Sequence, residues 1–472
     1  MGKFAILVED ESEQLYFTSQ ILMNHGFNVE IFENAADALA GVESVPRPVD
    51  LVILDRRLPK EPNDEPSDKV GDELLSTLLV LLPDSPFIVF TGHTGIPHLQ
   101  FAVQERGAIA IGPSGKSLDR VCAFEKGQTI EFGKYVGKVA EQIDLINDIE
   151  VTGFVDTGTG GSISRRLLRG VARHFGGVSI SASPLPGGLA ESPVWRCKVL
   201  DNAGHELAAV VVKQSDGSKI APAGGLHNIL PASHVAAPVA VVAGLCDGKR
   251  AQVMQFAGAQ PTSLLGLLSE DEEQSAKQLG LIADAMKNSL VGHATTKTVA
   301  QLAEPLCRWD DVASRLSAND IEVPRGVLVA STRTAAQHGD LHPGNVLVVD
   351  GHPVLIDFDN EVLASMTLDP VTALLSPLFH PDSPIRQSAW PSPAQCESLL
   401  TEAFLTGCPC PSWMARAQAW LMESASGERE LWALVLAYSA RQLKYSDVKS
   451  DKMVLARALA LSKTAATRLH GD

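Results

Sequence analysis

The sequence predicts a multidomain α/β plus α+β protein, in which a doubly wound parallel sheet precedes a small β-rich lobe and a large helical lobe. At 472 residues the chain is too long for one ordinary hydrophobic core. Its first part alternates apolar strand-like runs with helical patterns, and beyond residue 179 strands and turns give way to helices. We expect four segments, over 1–128, 129–178 (a helical connector), 179–257 and 258–472.

Composition and charge exclude several classes of protein. Hydrophobic residues make up 45% of the chain and charged residues 20%, as in soluble globular proteins. The formal net charge of −17 opposes a nucleic acid partner, because it repels a phosphate backbone. The sequence shows neither a signal-peptide pattern nor an apolar run of membrane-spanning length. The seven scattered cysteines favour reduced thiols, so we expect a cytoplasmic protein with no membrane partner.

Acidic residues follow the strand-like runs of the first segment. Such runs occur at Phe4–Val8, Val49–Leu54, Phe87–Phe90 and Ala108–Ile111. Glu9, Asp10 and Asp55 stand where strands end, and the carboxyl ends of parallel strands share one edge of the sheet. Carboxylates suit Mg²⁺, and a carboxylate that attacks a phosphoryl donor forms an acyl phosphate. We therefore predict a magnesium site with Asp55 as phosphoacceptor and with the Thr91 hydroxyl contacting the phosphoryl group.

Residues 3–126 resemble the receiver domain of response regulators, through Val8-Glu9-Asp10, Leu54-Asp55 and Thr91-Gly92. The resemblance implies a flavodoxin-like fold in which Asp55 accepts a phosphoryl group from a sensor histidine kinase. Glu9 and Asp10 would help to bind Mg²⁺. Where the family has Lys-Pro this chain has Gly112-Pro113, with Lys116 as the nearest substitute and Ile109 at the aromatic switch position. A receiver that docks partners without phosphorylation is the alternative.

A second group of polar residues lies between 337 and 359. Asp340 and Asn345 precede a strand-like run, and a second run leads into Asp357 after a turn at Asp350-Gly351. A hairpin of this kind brings Asn345 and Asp357 close together, as two ligands of one Mg²⁺ require. Asp340 is placed to accept the proton of an attacking hydroxyl group.

His338-Gly339-Asp340, Asn345 and Ile356-Asp357-Phe358-Asp359 resemble the catalytic region of the aminoglycoside phosphotransferase and choline kinase family. The resemblance implies a bilobal, protein-kinase-like fold that uses ATP and Mg²⁺. Asp340 would be the catalytic base, Asn345 and Asp357 would be metal ligands, and His338 would support the loop.

The β-rich lobe carries the residues that the same resemblance assigns to ATP. Gly187 and Gly188 lie in a loop like those that cover phosphates, Lys213 ends the run Val210–Val212, and Gln255 and Ala257 occupy a hinge that contacts adenine. Kinase-like sites hold such a lysine with a glutamate from the next helix, but there is no Glu from Gln214 to Lys249.

These features together predict an ATP- and Mg²⁺-dependent phosphotransferase that the receiver domain regulates or docks. The alternative is a pseudokinase scaffold that binds nucleotide without turnover. The acceptor would be a hydroxyl group of a small molecule or a protein, and an acidic pocket would favour a cation such as choline or an aminoglycoside. A helix near 133–149 is the expected link to the receiver, with Val136, Val139, Ile143 and Ile146 on one face. We also expect a homodimer, formed through the receiver domain or through this helix.

Overall fold

The computed structural model describes residues 2–91, 108–110, 117–154, 161–185, 193–216, 225–236, 238–255 and 261–470. The chain divides into two compact units. One contains Met1–Lys219 and Pro238–Phe256, and the other contains Ile220–Ala237 and Ala257–Asp472. Each unit has apolar clusters of its own.

A five-stranded parallel sheet forms the beginning of the first unit. Its elements are β1 (Lys3–Val8), α1 (Ser12–Asn24), β2 (Phe27–Phe32), α2 (Ala35–Gly41), β3 (Leu51–Asp55), α3 (Asp68–Leu81), β4 (Phe87–Thr91) and β7 (Val121–Glu125), in the strand order β2-β1-β3-β4-β7. Every residue of β3 is buried, as expected of a continuous apolar run in a parallel sheet covered on both faces. The predicted doubly wound sheet is confirmed.

The fifth strand of this sheet is not the one that the sequence suggested. The run predicted as a strand at Ala108–Ile111 contributes β5 (Ala108–Ala110), which pairs with β6 (Ser117–Asp119) in a separate two-stranded sheet. The strand that pairs with β4 is β7, and Thr91 lies opposite Glu125. The residue that follows the last strand of the parallel sheet is therefore Lys126.

The helix α4 (Thr129–Asn147) packs on this sheet. Its residues Phe132, Val136, Val139, Ile143 and Ile146 are buried in one cluster with side chains of β1, β3 and β4. The predicted apolar face is therefore present, but it covers the sheet, so this helix is not a separate connector. The remaining boundaries of the four expected segments stay predictions.

A six-stranded sheet follows in the same unit. Its strands are β8 (Glu150–Thr152), β9 (Ser179–Pro184), β10 (Val194–Leu200), β11 (Glu206–Asp216), β12 (Pro238–Val242) and β13 (Lys249–Gln255), in the order β12-β13-β11-β10-β9-β8. Helix α5 (Gly161–His174) covers it through Ile163, Leu167, Leu168 and Val171. This is the predicted β-rich lobe.

The two sheets meet at the amino ends of the parallel strands. Asp50, directly before β3, forms a buried ion pair with Arg166 of α5. Before β4, the Asp84 carboxylate accepts the Cys246 backbone N–H at 2.7 Å. Leu245, between β12 and β13, is fully buried in the cluster that contains α4. We call this contact region the amino-edge junction.

The second unit is mostly helical. Its helices are α6 (Leu226–Ile229), α7 (Leu264–Glu270), α8 (Glu272–Ser289), α9 (Val299–Ala303), α10 (Trp309–Ser317), α11 (Leu368–Leu375), α12 (Pro393–Cys396), α13 (Pro411–Ser424), α14 (Glu428–Gln442), α15 (Ser446–Ser450) and α16 (Lys452–His470). Short 3₁₀ helices span Ala232–His234, Pro343–Asn345, Phe358–Asn360, Ser376–Leu378 and Glu402–Leu405. Two small sheets accompany them, β14 (Thr262–Ser263) with β17 (Val346–Val349) and β18 (His352–Leu355), and β15 (His293–Thr298) with β16 (Val329–Gln337) and β19 (Val362–Ser365).

Helix α14 is the central helix of this unit. Twelve of its fifteen residues are buried, because α10, α11 and α16 pack around it. A helix that is buried on all sides belongs in the interior of a large core, which agrees with the predicted helical lobe. Among the described residues, no helix combines the length and the apolar character needed to cross a bilayer.

Candidate functional site

Three carboxylates converge at the carboxyl edge of the parallel sheet, as the sequence predicts. Glu9 and Asp10 follow β1, and Asp55 ends β3. One ligand oxygen from each lies within 4.8 Å of the others, which suits a hard divalent cation that also keeps waters in its coordination sphere. Glu9 and Asp55 are buried, whereas Asp10 is partly exposed.

Lys126 completes this carboxylate pocket, and sequence analysis missed it. Its Nζ atom lies 2.9 Å from Asp55 Oδ2, 3.1 Å from Glu9 and 3.2 Å from Glu11. Its side chain is 12% exposed. The phosphate-pairing lysine that seemed to be replaced by Gly112 therefore has a counterpart after β7, which corrects the expectation that Lys116 is the nearest substitute.

The pKa values reflect two buried acids beside one cation. Burial, together with the neighbouring Asp55 charge, raises the pKa of Glu9 to about 7, although Lys126 opposes the shift. Burial also raises the pKa of Asp10. For Lys126, burial disfavours the ammonium form, but the bond to Asp55 and the Glu9 charge outweigh it and raise the pKa. The ammonium group thus offsets part of the repulsion between the carboxylates.

A signal for Lys126 was present in the sequence. Val121–Phe124 is a short apolar run that ends in Glu125-Lys126-Gly127, directly before the amphipathic helix α4. A strand that is followed by a lysine and then by the last helix matches the receiver pattern better than Gly112-Pro113 does. In the structure, four of the five residues of this strand are only partly buried.

Other predicted positions of the receiver are only partly described. The Thr91 backbone lies at the end of β4, opposite Glu125, next to the strand that carries Asp55. Ile109 lies in the small antiparallel sheet with β6, so it is not in the fifth parallel strand. Gly112 and Lys116 lie outside the described residues.

The loop that carries Asp340 is fixed by a buried carboxylate behind it. Asp369, in the first turn of α11, is fully buried and accepts the backbone N–H groups of His338 at 2.7 Å and of Gly339 at 2.9 Å. Gly339 has φ +80°, and a Cβ there would stand 2.1 Å from the carbonyl oxygen of Asn360. Only glycine fits, so these contacts fix the loop immediately before Asp340.

Asn345 and Asp357 are brought together by the predicted hairpin. β17 and β18 pair with Val346 opposite Leu355, across a turn in which Asp350 and Gly351 both have positive φ. The Asn345 carbonyl accepts the N–H of Ile356 at 3.0 Å, so Asn345 lies across from the residue before Asp357.

The side chain of Asn345 is held by a hydrogen bond to the loop that carries Asp340. Its Nδ2 donates to the Asp340 carbonyl at 2.9 Å, and it is 7% exposed. With the nitrogen engaged, the amide oxygen is the atom left to coordinate a cation, and amide oxygen is a ligand that Mg²⁺ accepts. The roles of Asn345 and Asp357 as metal ligands stay predictions.

Asp357 has a left-handed backbone, with φ 65° and ψ 67°. This conformation costs a non-glycine residue about 1–2 kcal/mol and is commonest at functional sites. The next residue, Phe358, packs its ring on His338 and His227 at centroid distances of 5.1 and 5.7 Å. His338 in turn donates from Nε2 to the Ile356 carbonyl at 2.8 Å, which confirms its expected structural role.

A buried contact between a histidine and a carboxylate supports the same segment. Glu361 contacts His227 of the short helix α6, with Oε2 3.0 Å from the imidazole Nδ1, and the side chain of Glu361 is 1% exposed. Its Oε1 also accepts the backbone N–H of His227 at 3.3 Å. Glu361 lies outside the interval from Gln214 to Lys249, where a kinase-like site would have the glutamate that holds its lysine. The partner of Glu361 is a histidine.

Asp340 faces a cation. Arg441, near the end of α14, places Nη1 3.9 Å from Asp340 Oδ1, and both side chains are about one quarter exposed, at 24% and 27%. His342 lies two residues beyond Asp340 and 5.5 Å, between ring centroids, from His380. Burial lowers the pKa of His342 to about 4 and also lowers the pKa of His380. Both imidazoles are therefore neutral near pH 7.

The residues predicted to bind ATP are described only in part. Lys213 lies in β11, is 5% exposed and has at least one polar partner. Gln255 ends β13 and is exposed. Gly187, Gly188 and Ala257 lie outside the described residues.

Two family models match the chain. The response regulator receiver domain matches residues 5–111, and the phosphotransferase enzyme family matches residues 187–395. The first range contains the three carboxylates of the pocket but ends before Lys126, and the second contains the loop and hairpin around Asp340.

Individual relatives are more distant. The C4-dicarboxylate transport transcriptional regulatory protein DctD of Rhizobium meliloti (strain 1021) is 27% identical over 232 residues, 43% of this chain and 46% of that protein. The chain thus spans less than half the length of this curated relative. A receiver domain protein (CheY-like) from Methanospirillum hungatei JF-1 is 25% identical with a TM-score of 0.23, and one from Clostridium thermocellum is 18% identical with a TM-score of 0.24. Each comparison covers 30% of this chain and 98% of the other.

The fold and the two sites thus define a chain that joins a receiver-type sheet to a kinase-like fold. It carries a response regulator receiver domain and, C-terminal to it, a domain of the phosphotransferase enzyme family.

Proposed function

We propose that this protein is an ATP- and Mg²⁺-dependent phosphotransferase that its receiver domain regulates or docks in signal transduction. The arrangement of Asp340, Asn345 and Asp357 supports the proposal most directly. The support comes from a loop that Asp369 fixes before Asp340, from the hydrogen bond between Asn345 and the Asp340 carbonyl, and from the hairpin that joins Asn345 to Asp357. That combination serves the transfer of a phosphoryl group to a hydroxyl group.

Each residue has a distinct role in the proposed reaction. Asp340 orients the acceptor hydroxyl and takes its proton, while the hydroxyl oxygen bonds to the γ-phosphorus of ATP and the bond to the ADP oxygen breaks. Asn345 and Asp357 would hold Mg²⁺, and a bound Mg²⁺ would neutralise charge on the phosphoryl oxygens. Lys213, Gly187, Gly188, Gln255 and Ala257 remain the residues predicted to bind the nucleotide.

The receiver is proposed to accept a phosphoryl group on Asp55, supplied by a sensor histidine kinase. Glu9 and Asp10 would bind Mg²⁺, and Thr91 would contact the phosphoryl group. Lys126 favours this proposal over a receiver used only for docking, because an ammonium group 2.9 Å from Asp55 is placed to pair with a phosphoryl oxygen.

Mg²⁺-dependent ATP turnover tests the enzymatic part. The wild type should hydrolyse or transfer phosphate from ATP, and Asp340→Ala should lose that turnover by at least about a hundredfold, as loss of a general base implies, while still binding ATP. Asp320→Ala, at an exposed turn residue, is a matched control. Binding without turnover in the wild type, unchanged by Asp340→Ala, would instead establish the pseudokinase scaffold.

Turnover in the presence of acetyl phosphate tests the regulatory part. The rate of the wild type should change when the phosphodonor is added, and the rate of Asp55→Ala should not. Asp64→Ala, which removes an exposed carboxylate of the same domain, should respond like the wild type. Equal responses in the wild type and in Asp55→Ala would exclude regulation through Asp55.

A further inference from the structure

Arg441 and Asp340 approach each other without forming a hydrogen bond. The atoms Nη1 and Oδ1 are 3.9 Å apart, beyond the range of a hydrogen bond. Arg56, by contrast, closes on Asp72 with two contacts of 3.0 Å. The Arg441 pair is therefore an open one.

Most of the hydrogen-bonding capacity of Arg441 is unused. Guanidinium carries five N–H donors. Within the described parts of the chain, only Nε has an acceptor at hydrogen-bond distance, the hydroxyl of Tyr445 at 3.3 Å. Tyr445 lies four residues beyond Arg441, just past the end of the buried helix α14, and this bond fixes the orientation of the guanidinium group. The remaining donors form a preset fork, the geometry that matches a carboxylate or a phosphate.

The Asp340 carboxylate is open in the same way. Its backbone carbonyl accepts the Asn345 amide, but among the described residues no donor lies at hydrogen-bond distance from its side-chain oxygens. A carboxylate acceptor and a guanidinium donor thus stand side by side, close enough for one small molecule to contact both. The molecule would offer a hydroxyl group to Asp340 and an anion to Arg441.

The charges nearby favour an anion over a cation. Arg441 supplies the positive charge beside Asp340, and His342 and His380 are neutral near pH 7 and add no charge. The acid Asp447, two residues beyond Tyr445, is already paired with Arg386 at 2.7 Å. The acidic pocket that would suit an aminoglycoside or choline therefore has no support from the residues described around Asp340.

We propose that the acceptor is a small hydroxyl compound that also carries a carboxylate or a phosphate monoester, and that Arg441 binds this anion. The inference rests on the proposed phosphotransferase activity and names the acceptor class of the same site. Under this proposal Arg441 determines the specificity for the acceptor, and Asp340 accepts the proton of the acceptor hydroxyl group.

Matched acceptors test the proposal in the full-length protein with ATP and Mg²⁺. Glycerol, glycerate and glycerol phosphate share hydroxyl groups and differ in the anion, and choline and kanamycin represent cations. Glycerate or glycerol phosphate should have a KM at least about tenfold below that of glycerol, because hydrogen bonds to charged groups are strong. Preference for choline or kanamycin, or no preference at all, would overturn the proposal.

Two substitutions assign the effect to Arg441. Arg441→Gln should raise KM for the anionic acceptor by about ten- to a hundredfold, and should raise KM for glycerol by much less, because only the anionic acceptor loses a charged partner. Arg441→Lys should recover only part of the loss, since an ammonium group lacks the planar fork. Arg416→Gln, at a partly exposed arginine of α13 paired with Asp284, removes the same charge and should leave KM unchanged. An unchanged KM in Arg441→Gln would refute the assignment.

Calorimetry separates this inference from the proposed activity. Glycerate and glycerol phosphate are titrated into wild type and Arg441→Gln, both loaded with a non-hydrolysable ATP analogue. Anion binding that depends on Arg441, in a protein without turnover, would uphold the anion site and reject the phosphotransferase. Absence of anion binding in a protein that does turn over ATP would reject the anion site alone.

Discussion

Replacing Asp50 by alanine should destabilise the first unit more than any substitution on its surface. Asp50 and Arg166 have side chains that are 1% and 2% exposed, and they form an ion pair in the amino-edge junction. Asp50 Oδ2 also accepts the Phe4 backbone N–H at 2.9 Å. The substitution leaves a guanidinium charge and an amide donor buried without this partner.

The expected loss follows from these contacts. Removing one partner of a buried ion pair costs about 3–5 kcal/mol. Losing the acceptor of a buried N–H adds about 1 kcal/mol. The free energy of unfolding should therefore fall by about 4–6 kcal/mol, and Tm by roughly 10–20 °C in a unit of this size.

Chemical denaturation followed by circular dichroism, with calorimetric melting, measures both quantities. The double substitution Asp50→Ala with Arg166→Met should recover most of the loss, because apolar replacement of a whole buried pair is nearly neutral. Glu73→Ala breaks the exposed pair with Lys69 and should cost less than about 1 kcal/mol. A loss below about 1 kcal/mol for Asp50→Ala, or no recovery in the double variant, would refute the reasoning.

Three further outcomes are expected. Gly339→Ala should abolish ATP turnover and lower the free energy of unfolding of the second unit by about 3 kcal/mol. The new Cβ would clash with the Asn360 carbonyl oxygen, and alanine would be strained at the positive φ of this position. Thermal melting and turnover assays measure the two effects. The free energy of unfolding should fall as the pH drops from about 6.5 to about 4, because burial lowers the pKa of His342 to about 4 and the unfolded chain therefore binds the proton first. Urea titrations of His342→Gln should lack up to about 3 kcal/mol of this pH dependence. Lys126→Met should weaken the response of turnover to acetyl phosphate by about tenfold or more, measured across phosphodonor concentrations, because Asp55 loses its paired cation.

The sequence predicted the parallel sheet and the carboxylate pocket because both depend on local patterns. Apolar runs indicated β1, β3 and β4. The acids at the ends of β1 and β3 lie at one edge of the sheet because the strands are parallel. The hairpin before Asp357 was predictable for a similar reason, since Asp350-Gly351 suits a tight turn.

Features that depend on long-range pairing were not predictable. The choice between Ala108–Ile111 and Val121–Glu125 as fifth strand depends on which one pairs with β4, and neither run decides this locally. For the same reason Lys126 was missed, and α4 was assigned to a connector although its apolar face packs on the sheet. Arg441, about one hundred residues beyond Asp340, lacks a motif of its own and becomes visible only through folding.

The amino-edge junction limits how this receiver can be exchanged. In a graft, a foreign receiver domain would need an acid at the position of Asp50 to meet Arg166, an acceptor like Asp84 for Cys246, and a cavity for Leu245. Few unrelated receivers would satisfy all three, so chimaeras made by cutting near residue 128 should express poorly. Exchange of this domain therefore requires matching substitutions in the six-stranded sheet beside it.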